Sequence, residues 1–426
     1  MQIKEFSNEI IGEKYTCAIL ENGLKIYILE KPEFSSAYAV FGTRYGSIDT
    51  AFSVNSGELT EVPEGIAHFL EHKLFESEDG DAFTKYAKTG AYANAYTSFD
   101  RTCYLFTCSD LFEENLGILL DFVQSPYFTE ATVNKEQGII GQEIRMYDDS
   151  PEWCVFFNLL KGMYHINPVK IDIAGTTETI AQINADLLYK CYETFYNPSN
   201  MFVCIAGNVD TVKTLKRIEA AVTKNEPKDI TRKVFPEPAQ PVTQYIETAL
   251  DVAKPIFSYG YKIPTDSEPS LRDTICINLL LDVMASDISP LYEKLTDMGL
   301  INDDFDTEFF NGRGYAAAVF SGESSNPKKV VQTISEYIEK LKSEGIGDEI
   351  FEASRKNAYG DILKRYNSVE DIASTFVDAA VSDYDVFEEI EIIRRLKISD
   401  IEKYLDIFDE KQSVLSVVNP RKEEVK

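Results

Sequence analysis

The sequence predicts an α+β protein built from two copies of one domain. Three observations carry that expectation. Helical and strand periodicities alternate along all 426 residues. Residues 224–242, KNEPKDITRKVFPEPAQPV, mix charges with four prolines, which is the composition of a connector. The stretches on either side of that connector resemble each other.

Taken in order, YTCAILENGLKIYILE (15–30) reads as a hairpin turning at Asn22-Gly23, and SSAYAVFGTRYG (35–46) reads as a further strand. GIAHFLEHKLFE (65–76) reads as a helix whose apolar stripe is Ile66, Phe69, Leu70 and Leu74. A second helix starts at a Thr129 cap and ends near Pro151. The amphipathic stretch INADLLYKCYETF (183–195) then leads into the strand NMFVCIAGNVD (200–210). Beyond the connector the same order returns, with ISDIEKYLDIF (398–408) leading into QSVLSVVNP (412–420). EQGIIGQEIRMYDD (136–149) lies on RKNAYGDILKRYNS (355–368) with Gly141 over Gly360 and Tyr147 over Tyr366. In that register Glu136 falls on Arg355 and Glu143 on Ile362, so one copy carries polar equipment and the other scaffold. The expected boundaries are a first domain at 1–225, a connector at 226–242 and a second domain at 243–426.

Composition narrows the function. With 44% hydrophobic and 12% aromatic residues the chain can fill sizeable cores. A net charge of −29 repels phosphate backbones and argues against nucleic-acid binding. The longest apolar runs, such as INLLLDVMA, fall short of the roughly 18 residues of a membrane span. The start MQIKEFSNEIIGEK lacks a basic-then-apolar leader profile, so a cytoplasmic protein is expected. Seven scattered cysteines without C-x-x-C spacing read as reduced core thiols.

Two of the three histidines sit in the first helix. His68, Glu71 and His72 occupy i, i+3 and i+4, so they share one face. With so few histidines, H-x-x-E-H arises by chance in roughly two of a thousand shuffles. Two imidazoles one turn apart are a clamp for zinc, which takes three protein ligands at a catalytic site and leaves a position for water. Zinc lowers the pKa of that water towards about 7, and a nearby carboxylate can take its proton. The third ligand must come from elsewhere. On the second helix Glu136, Ile140, Glu143 and Tyr147 share a face, and the two glutamates stand roughly 10 Å apart along the axis. One can bind the ion and the other can orient a histidine, but spacing does not choose between them. His165 has no partner spacing and reads as structural; Trp153 reads as a packing anchor.

HFLEH followed 71 residues after His72 by Glu143, within E-x6-E, resembles the inverted-zincin signature of the pitrilysin/insulinase metallopeptidases. GAYANAYTSFDRTCYLF (90–106) and NPVKIDIAGTTETIAQI (167–183) resemble two further family segments, so the likeness covers most of the chain. The resemblance implies one Zn2+ per chain on His68, His72 and Glu143, with Glu71 as general base and Glu136 as the carboxylate behind a ligand. It implies two similar α/β-sandwich domains, each a mixed antiparallel sheet with helices packed on one face. It also implies a peptide lying as an added strand near residues 90–97, which makes Asn94, Ala95 and Tyr96 the candidate contacts.

One departure from the family matters. An Arg and a Tyr seven residues on are common in the second domain, facing the reacting carbonyl. In SPLYEKLTDMGLINDDFDTEF (289–309) those positions hold Met298 and Phe305, neither able to donate to an oxyanion. A shifted alignment would bring in Arg313 instead. The expectation is therefore a zinc endopeptidase for short or unfolded peptides, acting as the zinc-bearing subunit of a heterodimer with a related chain, or as a homodimer. The alternatives are a non-catalytic metal-binding assembly subunit and a dedicated maturation peptidase for one product.

Overall fold

The computed structural model describes residues 1–78, 80–265 and 267–421. The contacts divide the chain into two compact units.

The first unit is organised on a seven-stranded sheet. Its strands are β1 (Gln2–Asn8), β2 (Glu13–Ile19), β3 (Lys25–Glu30), β4 (Ala37–Thr43), β5 (Tyr92–Thr97), β6 (Thr102–Cys108) and β7 (Met201–Gly207). They lie in the order β1-β2-β3-β7-β4-β6-β5, and only β3 and β7 run parallel. Asn22-Gly23 does turn the chain between β2 and β3, with Gly23 in the left-handed region. The central strands β4 and β7 are buried at every position, so side chains on both of their faces are covered.

The first half of the chain contributes α1 (Ile66–Leu74), α2 (Ala82–Thr89), α3 (Phe112–Val123), α4 (Glu130–Asp148), α5 (Pro151–Met163), α6 (Ala185–Phe195) and α7 (Thr211–Ala221). Of these, α5 belongs to the second unit, and α4 passes from one unit to the other at Ile144/Arg145. Helix α4 starts where Thr129 and Thr132 exchange capping hydrogen bonds, and α5 opens with Pro151 in its first turn.

The second unit has a five-stranded sheet of β8 (Tyr245–Leu250), β9 (Ile256–Lys262), β10 (Asp306–Gly312), β11 (Tyr315–Glu323) and β12 (Ser413–Pro420). The order β8-β12-β9-β11-β10, with β8 and β12 parallel, repeats β3-β7-β4-β6-β5 strand for strand. The internal duplication therefore holds at the level of topology, and β1 and β2 are additions to the first copy. The second half also contributes α8 (Leu271–Ala285), α9 (Pro290–Asp297), α10 (Pro327–Glu344), α11 (Asp348–Arg365) and α12 (Val369–Ser382). Residues 271–297 have the length and hydropathy of a membrane span, yet they form two helices, and Leu279, Leu280, Leu281, Val283 and Met284 lie in the unit's core.

The compact units are not the contiguous stretches 1–225 and 243–426. The first comprises 1–144, 172–233 and 362–387; the second comprises 145–171, 234–361 and 388–426. Helix α5 packs on β12 and β9 of the second sheet, while α12 packs on β7, β4 and β3 of the first. An amphipathic helix fixes which of its faces is buried but not which sheet buries it, and here each half of the chain covers a sheet of the other.

The connector is also more ordered than its composition implies. Ile230–Arg232 pairs antiparallel with residues of Ala51–Val54, and Arg232 meets the buried Asp49 at 2.9 Å. In the second unit Glu237 accepts backbone N–H bonds from His165, Ile166 and Asn167 at 2.7–2.8 Å, and one from Lys262 Nζ at 2.8 Å. His165 also meets the Gln240 carbonyl, and Trp153 stacks on Tyr147 at 4.6 Å. Both side chains thus sit in structural contacts.

Candidate metal centre

Helix α1 begins at Gly65, whose φ of +86° no side chain would adopt easily. A Cβ there would come within 2.4 Å of the Ala174 carbonyl oxygen, and one on Gly175 within 2.6 Å of the Glu64 carbonyl oxygen. Two glycines thus let the segment around 174–175 press against the start of the helix. Ile66, Phe69, Leu70 and Leu74 are buried as the periodicity predicts. The polar face is buried too: His68 and Glu71 are each only 8% exposed, and Lys73 is fully buried against Glu76. Desolvating that many polar groups costs several kcal/mol unless partners or a ligand compensate.

Helix α4 supplies the compensation. His72 Nδ1 donates to Glu136 Oε1 at 3.1 Å. A carboxylate can only accept, so the ring proton sits on Nδ1 and the Nε2 lone pair points the other way. There His72 Nε2 stands 3.5 Å from Glu143 Oε2, and His68 Nε2 stands 3.6 Å from Glu143 Oε1. In this arrangement Glu136 bonds to a histidine, and Glu143 faces the two ring nitrogens.

Those two separations are long for hydrogen bonds. Two donors each about 2.0–2.1 Å from one tetrahedral ion stand roughly 3.3–3.4 Å apart. The ligand atoms of His68, His72 and Glu143 all lie within 4.8 Å of one another. Lone pairs facing a carboxylate oxygen repel it unless a cation lies between them, and this donor set of two imidazoles and one carboxylate suits zinc. The residues present fit a zinc ion.

Without a cation the groups of the site carry opposed shifts. Burial, then the neighbouring His72, pushes the His68 imidazole down to about 3, which keeps it neutral. Burial works against a charged His72, but the hydrogen bond to Glu136 and the charges of Glu71, Glu143 and Glu136 lift it above its ordinary value. Burial likewise opposes ionisation of Glu136, and the bond and charge of His72, with Lys73 and Lys135, outweigh it and lower its carboxyl. Glu71 is raised, chiefly by burial, against the hydrogen bond it accepts from Thr97.

A cleft of about 560 Å³ opens beside these groups, lined by Glu71, His72 and Glu136, by the stacked pair Phe75 and Phe83, and by Asn94 and Ala95. The last two belong to β5, which is the edge strand of its sheet and leaves one row of backbone groups unpaired by the sheet. Tyr96 is on the opposite face of β5 from Thr97 and does not line the cleft; its cross-strand partner is Cys103. In the second unit Met298 caps α9 and is 44% exposed, Phe305 is buried with its ring 6.2 Å from that of Tyr292, and Arg313 lies in the turn between β10 and β11. Sequence reasoning passed over Thr97, which donates to Glu71 from the edge strand; the one available signal was its place at the end of the Asn-Ala-x-Thr segment.

Comparison with known proteins follows the same lines. Residues 47–177 match the family described as "Insulinase (Peptidase family M16)", and residues 182–358 match "Peptidase M16 inactive domain". The chain is 40% identical over 98% of its length, and 99% of the relative's, to "Uncharacterized zinc protease YmfH" of Bacillus subtilis. It is similar to the crystal structure of a putative M16-like peptidase from Alicyclobacillus acidocaldarius, with a TM-score of 0.92, 32% identity, and 96% of this chain and 98% of that one covered. A protease from Helicobacter pylori shares the fold at a TM-score of 0.83 and 21% identity, over 96% of this chain and all of the other.

Proposed function

The chain belongs to the pitrilysin/insulinase family, M16, and from that premise we propose that it is a zinc-dependent endopeptidase acting on short or unfolded peptides. The observation that carries the reading is the convergence of His68, His72 and Glu143 with the buried Glu71 one residue away on α1. A structural site closes all its positions with protein ligands and has no use for such a carboxylate.

His68, His72 and Glu143 would hold a zinc ion, which would supply Lewis-acid polarisation of the attacking water and of the scissile carbonyl. Glu71 takes the water's proton and returns it to the nitrogen of the leaving amine. Glu136 holds the His72 ring in the tautomer that leaves Nε2 free. Strand β5 offers backbone groups along which an extended peptide gains main-chain hydrogen bonds whatever its side chains. Asn94 and Ala95 lie where that strand enters the cleft.

Pairing completes the reading. Met298 and the buried Phe305 give no donor at the positions where an Arg and a Tyr would assist the carbonyl, so a related subunit supplies them and this chain is the zinc-bearing partner. The same absence is the observation favouring a non-catalytic metal-binding subunit. Glu71→Gln separates the two. As a peptidase, the variant keeps its zinc by metal analysis and loses about 10²- to 10⁴-fold in peptide cleavage, assayed with any copurifying partner present. Undiminished cleavage or function with zinc retained would leave only the non-catalytic role.

A further inference from the structure

Thr97 closes the edge strand β5, and its hydroxyl donates to Glu71 Oε2 at 2.7 Å. Its cross-strand partner is the fully buried Thr102, whose hydroxyl donates to the Tyr45 carbonyl oxygen at 2.9 Å. The two hydroxyl oxygens are 3.4 Å apart, a long contact beside those two bonds. Each hydroxyl has a single proton to give. Thr102 spends its proton on the backbone of Tyr45, and Thr97 spends its own on Glu71. The base on α1 is thereby tied to the edge strand through Thr97.

We infer that Thr97 is a positioning residue that fixes the orientation of the Glu71 carboxylate through Oε2 and so presents the other oxygen, Oε1, to the proton of the attacking water. One lone pair of Oε2 accepts from Thr97, which fixes the plane of the carboxylate, and Oε1 has no hydrogen-bond donor on it among the described residues. The proton therefore leaves the water for Oε1 and passes from there to the nitrogen of the leaving amine. Thr97 keeps its own proton throughout, and no covalent bond to it forms or breaks. Because Thr97 is part of β5, the orientation of the base is tied to the strand along which the peptide lies: a peptide that straightens and orders this edge also orders the hydroxyl that holds Glu71. This inference rests on the peptidase reading.

Thr97→Val preserves the β-branched shape and removes the donor, and Thr97→Ser restores the donor. The expected result for Thr97→Val is wild-type zinc content, an unchanged KM for peptide and a kcat lower by about 10- to 100-fold, part of what a positioned base contributes; Thr97→Ser recovers most of that loss. Unchanged kcat, loss of zinc, or a rise in KM alone overturns the assignment. A second measurement needs no activity. In the metal-free chain, the unfolding midpoints of Thr97→Val, Glu71→Ala and the double variant should fail to add, because both changes remove the same bond. Additive shifts overturn the tie between the two residues. A wild-type chain that binds zinc and cleaves nothing, with any copurifying partner, defeats the peptidase reading alone, and the double-mutant cycle still decides whether Thr97 holds Glu71.

Discussion

Helix α1 of the first unit and helix α8 of the second hold the same place in the duplicated strand order, and each packs on the edge strand of its sheet. Their interiors differ. Helix α8 buries Ile275, Cys276, Ile277, Leu279, Leu280, Leu281, Val283 and Met284. Helix α1 buries His68, Glu71 and Lys73 among its apolar residues. Of the two acids on α8, Asp282 is pushed up to about 6 by burial, then by Asp361 and Asp306, and so drifts towards neutrality. Glu71 on α1 is also raised by burial but accepts a hydrogen bond from the Thr97 hydroxyl that favours its charged form. One scaffold position can therefore hold a fold together or hold chemistry in place, and the side chains on one helix decide which.

The sharpest way to break this comparison is to treat the two helices alike. Leu280→Ala in α8 should destabilise the second unit by about 2–5 kcal/mol, read from chemical unfolding followed by Trp153 fluorescence. The sole tryptophan lies in that unit, so the signal reports on it. His68→Leu in α1 should do the reverse. It removes a buried Nδ1 that has no hydrogen-bond partner among the described residues, so the metal-free chain gains roughly 1 kcal/mol while zinc binding disappears. A clear loss of stability in that variant would contradict the view that α1 gives up stability for its function.

A smaller effect tests the two long helices. Glu136→Gln should weaken zinc affinity about 10- to 100-fold, because it loosens the ring of His72. Its counterpart in the repeat, Arg355, bonds to Glu352 on its own helix, and Arg355→Gln should leave stability within about 0.5 kcal/mol and zinc affinity unchanged. Competition with a chromophoric chelator measures both.

Acid distinguishes the units next. Burial disfavours a charged Glu237, but the bond from Lys262 and the three backbone N–H groups hold its carboxyl down to about 2, against an ordinary 4.5. A carboxyl depressed in the folded state stabilises above its unfolded pKa, and that contribution fades as pH falls from 4.5 towards 2. Trp153-monitored unfolding should show this slope, and Glu237→Gln should flatten it.

Much of the site was legible because histidine is scarce here. With three in the chain, a pair at i, i+4 with a glutamate between them marks itself, and E-x6-E on a well-capped helix marks the second element. Which glutamate meets the ion depends on how α4 is rotated and offset against α1, and residue spacing records neither. The repeat was visible in Gly141/Gly360 and Tyr147/Tyr366, and the strand orders bear it out. The exchange of α5 and α12 was not visible, because both are ordinary amphipathic helices following a long one. The connector misled for a related reason. Proline and charge describe a stretch that forms no core of its own, yet Glu237 is fixed by donors from residues 165–167 and Lys262, which lie far off in sequence.

The lending of α5 and α12 has a consequence for how such a chain can be cut. A gene fragment ending at the connector would encode a sheet without one of its covering helices, together with a helix whose own sheet is missing. Expressed alone, it would expose two sticky apolar surfaces made for one another's relatives, and the readiest cure would be to meet a second copy and trade. The repeated module and the folding module of this protein are thus different pieces of chain.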